Sequence, residues 1–210
     1  MREKLIIVGD GGHAKVIIDI ILKMDKYKIL GVTSKQKKEG MFFGVPILGS
    51  DDILKRYYDE GCKNIVIGLG GFKDNLLRTK IFNEYYEKGF NIVNIIDPSS
   101  IISPTVKLGM GVVIFPGVIL NTEVRINNNV IIATGSSIDH ESIIEENSLI
   151  SAGVTIGANT ILRSGVLCAL GSKVVSAIEI GKNTLIAAGA VVVNDLPNNS
   201  RVFGIPAKEK

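Results

Sequence analysis

Cysteine is scarce in this 210-residue chain, which contains only Cys62 and Cys168. The two lie far apart in the sequence, and they match neither a zinc-binding spacing nor the framework of a disulfide-stabilised domain. A surplus of charge is lacking as well, because 24 basic residues stand against 21 acidic ones and the net charge is +3. This balance does not predict a partner such as nucleic acid, which a strongly basic surface would attract.

Long apolar segments are also missing. No run approaches the ~20 consecutive apolar residues that span a bilayer, so no membrane partner is expected. The opening MREKLIIVGDGG is interrupted by glycines too early for a signal peptide. With 46% apolar and 21% charged residues, the composition is typical of a packed protein. We therefore expect a reduced, cytoplasmic protein.

The first 97 residues alternate between strand and helix patterns. Buried-type strands are predicted at KLIIV, YKILGV and KNIVIGLG, and helices at AKVIIDIILKM, SDDILKRYYDEG and KDNLLRTKIFNEYYEKGF. Strands that alternate with helices predict a small Rossmann-like parallel sheet with right-handed crossovers. The dipeptide Asp97-Pro98 is a plausible domain boundary, so we assign residues 1–97 to an α/β domain.

From residue 102 the periodicity changes to six. Fifteen of sixteen residues at this interval are Ile, Leu or Val, the exception being Cys168, and the residue four positions later is small or β-branched. The sixteen are Ile102, Leu108, Ile114, Leu120, Ile126, Ile132, Ile138, Ile144, Ile150, Ile156, Leu162, Cys168, Val174, Ile180, Ile186 and Val192. An interval of six fits neither a helix of 3.6 residues per turn nor a strand of period two. It predicts a left-handed parallel β-helix of hexapeptide repeats over residues 98–210, with three hexads per coil and a C-terminal tail.

A glycine-rich segment, GDGGHAK, follows the first predicted strand and opens the first helix. Gly9, Gly11 and Ala14 satisfy the pattern G-x-G-x-x-G/A, in which glycines allow backbone N–H groups to approach a phosphate at a helix N-terminus. For NAD, an acidic residue is expected at the end of the second strand, but this chain has Thr33 and Ser34 there. The segment therefore predicts a nucleotide-linked ligand other than NAD, and glycines that only permit a tight turn stay an alternative.

The chain has two histidines. His13, in the glycine segment, either contacts the ligand or serves as a helix cap. His140 occupies the third position of the hexad 138–143, which is not an inward position, so its side chain should point outward from a rigid wall. Neighbouring Glu141 could orient the ring or stabilise the imidazolium. A single histidine in the repeat domain excludes a three-histidine metal site. His140 is therefore either a surface residue or a general base for an amine or hydroxyl group.

The whole chain, residues 1–210, resembles the bacterial sugar O- and N-acetyltransferases typified by the sialic acid O-acetyltransferases and the N-acetyltransferase of bacillosamine synthesis. Four segments carry the resemblance: IVGDGGHAK, NIIDPSSIISPTVKLGMGVVI, IIATGSSIDHESIIEENSLISAGVTIGA and VVVNDLPNNSRVFGIPAK. It implies transfer of an acetyl group from acetyl-CoA to an amino or hydroxyl group of a nucleotide-activated sugar, by direct attack on the thioester, for surface glycan biosynthesis. It also implies a homotrimer with active sites between subunits, a nucleotide-sugar-binding domain at residues 1–97 and an acyltransferase domain at residues 98–210.

The resemblance assigns roles to individual residues. His140 would be the general base and Glu141 its partner, and a backbone N–H near Gly157–Ala158 would bind the thioester oxyanion. No metal is expected. The nucleotide sugar would contact Gly9, Asp10, Gly11, Gly12, His13, Thr33 and Ser34. Acetyl-CoA would contact Leu149, Gly157, Ala158, Leu170, Ala188, Pro206 and Lys208.

Three departures from the family leave the acceptor open. Leu149 stands where many relatives have a second histidine, and Ala133 stands where they often have asparagine. Thr33 and Ser34 replace an acidic pair that often helps to hold the nucleotide base or ribose. Two other functions are therefore weighed: a nicotinamide-dependent oxidoreductase built on the glycine segment, and a non-catalytic trimeric nucleotide-sugar-binding protein.

Overall fold

The protein is described by a computed structural model that covers residues 2–36, 39–71 and 75–209. The chain divides into two compact units, Met1–Pro98 and Ser99–Lys210. Within the described residues, no helix is both long and apolar enough to cross a membrane.

The first unit is an α/β structure built on one six-stranded sheet. Its elements are β1 (Glu3–Val8), α1 (Gly12–Met24), β2 (Tyr27–Thr33), β3 (Met41–Phe42), β4 (Val45–Gly49), α2 (Ile53–Asp59), β5 (Asn64–Ile67), α3 (Leu76–Glu87), β6 (Asn91–Ile92) and β7 (Ile95–Ile96). The sheet order is β3-β4-β2-β1-β5-β6, and all pairs are parallel except β3 with β4. The predicted Rossmann-like sheet is confirmed. The β3–β4 hairpin was not predicted, and the residues 73 and 74 assigned to the third helix lie outside the described part.

Apolar periodicity accounts for this packing. Residues 5–8 of β1 are all fully buried, as expected for a central strand of a parallel sheet. Helix α1 buries one face, formed by Ala14, Ile17, Ile18, Ile20 and Ile21. A second cluster joins β5 and α3 through Ile65, Ile81, Phe82 and Tyr85, so α3 packs against the sheet.

The second unit is a left-handed parallel β-helix whose strands are mostly two residues long. They are β8 (Ile101–Ile102), β9 (Lys107–Leu108), β10 (Val113–Ile114), β11 (Ile119–Leu120), β12 (Arg125–Ile126), β13 (Ile131–Ile132), β14 (Ser137–Ile138), β15 (Ile143–Ile144), β16 (Leu149–Ile150), β17 (Thr155–Ile156), β18 (Ile161–Leu162), β19 (Leu167–Cys168), β20 (Lys173–Val174), β21 (Glu179–Ile180), β22 (Leu185–Ile186), β23 (Val191–Val192), β24 (Arg201–Phe203) and β25 (Lys208–Glu209). Three faces result. The first is β8-β11-β14-β17-β20-β23, the second β9-β12-β15-β18-β21, and the third β10-β13-β16-β19-β22-β24, to which β25 adds antiparallel.

The strand register follows the hexads. Ile138 pairs with Ile156, one coil of three hexads later, and Ile132 pairs with Ile150 in the same way. From Ile114 onward every residue of the sixfold column is at most 3% exposed, whereas Ile102 and Leu108 in the first coil are half-buried. The predicted β-helix is therefore confirmed, with the aliphatic column as its core.

Small polar residues inside the coil bond to the backbone of the next coil. Ser136 Oγ donates to the carbonyl of Ser151 at 2.8 Å, and Ser142 Oγ donates to the carbonyl of Gly157 at 2.9 Å. Because these two hydroxyls have acceptors, positions 136 and 142 tolerate serine where other coils have valine.

The corners of the coil share one backbone conformation. The fourth position of each hexad, from Gly111 to Gly189, has a positive φ. Most of these residues are glycine or asparagine, which adopt the left-handed region at little cost. Glu123, Glu141 and Ala177 are the exceptions, with φ of 60°, 59° and 60°.

Candidate functional site

The glycine segment lines a cavity of about 590 Å³ at the carboxyl end of β1. Five of the predicted acceptor residues lie on its surface, namely Gly9, Asp10, Gly11, Gly12 and His13. Helix α1 begins here without a side-chain hydrogen bond at its N-cap and without an acidic residue in its first turn. The positive end of the helix dipole is therefore available to an anion in this cavity.

His13 in this cavity is a neutral imidazole. Burial and, to a lesser extent, the nearby positive charge of Arg78 together lower its pKa from 6.5 to about 3. The Arg78 guanidinium is buried, and its Nη1 donates to the carbonyls of Ile67 and Leu69, each at 2.8 Å. Arg78 thus fixes the end of β5 beside the cavity, and His13 offers a hydrogen-bonding ring rather than a charge.

Thr33 has a different role from the one predicted. Its side chain is fully buried, so it does not reach the cavity surface. The hydroxyl accepts the N–H of Gly9 at 3.0 Å and donates to Asp51 Oδ1 at 2.5 Å. We therefore revise Thr33 from a ligand contact to a support of the glycine segment. Ser34 is 2% exposed and borders a separate depression with Gly49 and Arg56.

Asp51 is one of the cavity residues that the sequence did not indicate, and it is the one that carries a carboxylate. It lies on the same cavity as Gly9 and Gly12, although it is distant from them in the sequence. It follows β4, and β4 pairs with β2 in the sheet. The signal available in the sequence was the short alternation VPILG before SDD, which is weak for a strand of five residues.

His140 and Glu141 form a pair at the corner between the first and second faces. His140 Nδ1 lies 2.9 Å from Glu141 Oε2, and the two side chains are 46% and 53% exposed. Both backbones are held by neighbouring coils, because Glu141 N–H donates to the carbonyl of Thr122 and Asn159 N–H donates to the carbonyl of His140. When Nδ1 carries the proton that Glu141 accepts, the lone pair of Nε2 is free to act as a base.

The next coil places Gly157 and Ala158 at the same corner. Gly157 is not available as an oxyanion donor, because its N–H donates to the carbonyl of Val174 at 2.9 Å. The N–H of Ala158 has no acceptor among the residues that the structure describes. Of the two backbone N–H groups predicted to bind the thioester oxyanion, only that of Ala158 is therefore available.

A comparison of successive coils explains the free N–H group of Ala158. In the two preceding coils, the equivalent N–H groups of Thr122 and His140 donate to the side chains of Asn121 and Asp139, each at 2.8 Å. Glycine at position 157 has no side chain to accept such a bond. A larger residue would strain this corner, since a Cβ there would lie 2.5 Å from the backbone nitrogen of Ser176.

The remaining predicted CoA residues lie elsewhere on the β-helix. Leu170 and Ala188 occupy successive coils of the corner between the third and first faces, where Gly189 N–H donates to the carbonyl of Leu170. The tail reaches the same corner, because Ala207 N–H donates to the carbonyl of Val191. Within one chain, these residues and the tail positions Pro206 and Lys208 therefore gather at a different corner from His140.

Leu149 belongs to neither corner. It lies in β16 on the third face, pointing outward between Ile131 and Leu167 of the adjacent coils, and it is 9% exposed. It thus continues an aliphatic column on the outside of that face. As for metals, the described residues contain no group of three or more His, Cys, Asp or Glu side chains that could hold an ion.

Comparisons with known proteins indicate the family of this chain. Residues 4–85 match the family model of the PglD N-terminal domain. No curated protein matched the sequence. Among solved structures, the chain is similar to a histidine-to-alanine variant of GDP-perosamine N-acetyltransferase from Caulobacter crescentus in complex with CoA and GDP-perosamine, with 30% identity, 99% of this chain and 96% of that chain covered, and a TM-score of 0.93.

Two further structures agree. PerB from Caulobacter crescentus, in complex with CoA and GDP-perosamine, is 32% identical over 99% of this chain and 97% of that chain, with a TM-score of 0.81. The acetyltransferase domain of PglB from Neisseria gonorrhoeae FA1090 is 25% identical over 100% of both chains, with a TM-score of 0.91. The chain therefore belongs to the hexapeptide-repeat family of bacterial sugar acetyltransferases, and it is an acyltransferase.

Proposed function

We propose that this enzyme transfers the acetyl group of acetyl-CoA to an amino group of a nucleotide-activated sugar. The proposal rests above all on the imidazole of His140, held by Glu141, one coil away from the free N–H group of Ala158. Amino rather than hydroxyl acceptors are favoured because the GDP-perosamine relative is an N-acetyltransferase. Membership of an acyltransferase family sets aside the oxidoreductase alternative.

The pair and the N–H group supply the steps of a direct transfer. As the acceptor nitrogen attacks the thioester carbonyl, Nε2 of His140 takes a proton from that nitrogen, and Glu141 stabilises the imidazolium. The carbonyl oxygen becomes an oxyanion that accepts the N–H of Ala158. Cleavage of the carbon–sulfur bond then releases the CoA thiolate, which regains a proton from the imidazolium. No acyl-enzyme is formed.

The cavity of the first unit is proposed to bind the nucleotide of the acceptor. Gly11 and Gly12 at the start of α1 would bind its phosphate groups, and neutral His13 would donate or accept one hydrogen bond. A neutral imidazole suits a polar ligand without adding charge. Complexes of the relatives with GDP-perosamine support a nucleotide sugar as the ligand.

Acetyl-CoA is proposed to bind along the corner that carries Leu170, Ala188 and the tail, where Lys208 adds a cation for the phosphates of CoA. Since His140 lies at another corner of the same β-helix, one chain does not bring the two together. A homotrimer would do so, by placing the His140 corner of one subunit beside the Leu170 corner of the next. We place the reaction in the cytoplasm and in surface glycan biosynthesis.

The proposal is tested with the purified full-length chain, acetyl-CoA and a panel of nucleotide-linked amino sugars. CoA release is followed with a thiol reagent, and the product is identified by mass spectrometry. We expect acetylation of at least one amino sugar and none of its hydroxyl analogue. Binding of acetyl-CoA without turnover of any acceptor would point instead to the non-catalytic binding protein.

A further inference from the structure

A carboxylate is fixed inside the nucleotide cavity by a chain of hydrogen bonds. Asp51 lies on the cavity surface, and its Oδ1 accepts the hydroxyl of Thr33 at 2.5 Å. The same hydroxyl accepts the N–H of Gly9 at 3.0 Å, and Thr33 itself is fully buried. The Asp51 carboxylate is thereby held at a set position relative to the glycine segment, with one oxygen used inside the protein and the other available.

The position of this carboxylate suits a ribose. Phosphates bound at Gly11 and Gly12 would place the adjoining sugar of the nucleotide near the glycine segment, and only two hydrogen bonds separate Asp51 from Gly9. In dinucleotide-binding folds, an acidic residue at the end of the second strand accepts a ribose hydroxyl. Here Thr33 ends the second strand, and Asp51, two residues after the neighbouring strand β4, brings a carboxylate to the Thr33 hydroxyl.

The chemistry of the group sets its preference. A carboxylate only accepts hydrogen bonds, so it pairs with hydroxyl donors and gains nothing from a sugar that lacks them. Lys35 lies on the same cavity and supplies a positive charge beside the phosphates, which offsets their repulsion by Asp51. A 2′-deoxyribose would leave the free oxygen of Asp51 with one donor fewer.

We propose that Asp51 is a specificity-determining residue, which binds the ribose hydroxyls and selects ribonucleoside diphosphate sugars over their 2′-deoxy counterparts. Thr33 is its positioning residue. The inference rests on the proposed function only in that the cavity binds the nucleotide of the acceptor.

The test is calorimetric titration of the full-length chain with GDP and 2′-deoxy-GDP, and with UDP and 2′-deoxy-UDP, in the absence of acetyl-CoA. We expect the ribonucleotide of the better-bound pair to bind roughly tenfold to a hundredfold more tightly than its deoxy form, the scale of a hydrogen bond to a charged group. Asp51→Asn should bring this ratio to within about threefold of unity, because a neutral amide makes a weaker hydrogen bond to a ribose hydroxyl than the charged carboxylate does.

A neighbouring residue provides the matched control. Asp52 accepts the hydroxyl of Ser50 and borders other depressions, so Asp52→Asn should keep the wild-type ratio. Thr33→Val should lower the ratio although Asp51 is intact, and Thr33→Ser should restore it. Circular dichroism confirms that each variant is folded.

A wild-type ratio near one, an unchanged ratio in Asp51→Asn, or a wild-type chain that binds none of the four nucleotides would overturn the inference. The experiment can refute this inference and the proposed function separately. A normal ratio without acetyl transfer would refute the acetyltransferase proposal alone, whereas acetyl transfer with a ratio near one would refute the role of Asp51 alone.

Discussion

Glu141 has a backbone conformation that suits glycine, so replacing it with glycine should raise the stability of the fold while it lowers the rate of the reaction. A non-glycine residue in the left-handed region costs roughly 1–2 kcal/mol, and Glu141 has a φ of 59° there. Glycine would remove this cost. It also has more conformational entropy in the unfolded chain, which destabilises the fold by about 0.5–1 kcal/mol. Glu141→Gly should therefore stabilise the fold by about 0.5–1 kcal/mol, or about 1–4 °C in Tm for a chain of this length.

The same substitution should slow the reaction. Glu141 Oε2 lies 2.9 Å from His140 Nδ1, and its loss removes both the orientation of the ring and the stabilisation of the imidazolium. Because the pair is about half exposed, solvent screening reduces its energy, and we expect a fall in kcat of roughly tenfold. Steady-state kinetics and thermal unfolding of the same preparations measure both effects.

Glu123 is the matched control for this prediction. It occupies the equivalent corner position one coil earlier, with a φ of 60°, and it lies beside Thr122 rather than a histidine. Glu123→Gly should raise Tm as Glu141→Gly does, with kcat unchanged. Equal loss of activity in both variants, or no loss in Glu141→Gly, would refute the assignment of Glu141 as the partner of His140.

Three further predictions concern single residues. His140→Ala should lower kcat by roughly 10² or more, the scale of a lost general base, with acetyl-CoA affinity by calorimetry unchanged; normal turnover would contradict the role. Gly157→Ala should lower both Tm and kcat, since its Cβ would lie 2.5 Å from the backbone nitrogen of Ser176 and displace the N–H of Ala158; an unchanged Tm would show that the corner relaxes. His13, whose pKa falls from 6.5 to about 3 on folding, binds a proton in the unfolded chain before the folded one. Stability should therefore fall as the pH drops from about 6.5 towards about 3, by up to about 1.4 kcal/mol per pH unit from this group, and urea titrations of His13→Gln should show a weaker dependence.

The β-helix could be predicted in detail because its order is local. An interval of six residues places Ile138 inward and His140 outward whatever the rest of the chain does. The same pattern of inward and outward positions recurs in every coil. The choice of Ala158 as the proposed oxyanion donor required the structure, because it depends on the hydrogen bonds between neighbouring coils. The family resemblance indicated Gly157–Ala158, but the choice between the two N–H groups depends on which one enters the ladder with Val174.

The cavity of the first unit was less predictable because it depends on strand order. Asp51 reaches the glycine segment only because β4 pairs with β2, a pairing between strands that are not adjacent in sequence. The sequence also showed that Thr33 replaces an acidic residue. It did not show that Thr33 is buried, or that its hydroxyl donates a hydrogen bond to the carboxylate of Asp51.

The stacking of coils fixes the distance between groups that lie at equivalent corner positions of successive coils. His140 and Ala158 are equivalent positions of adjacent coils, so their backbones are separated by one spacing of hydrogen-bonded strands, ~4.8 Å. The hydrogen-bond ladders on all three faces hold that spacing, so substitutions that leave the backbone unstrained should not change it. The separation of the proposed base from the proposed oxyanion donor is thus set by the polypeptide backbone rather than by side chains.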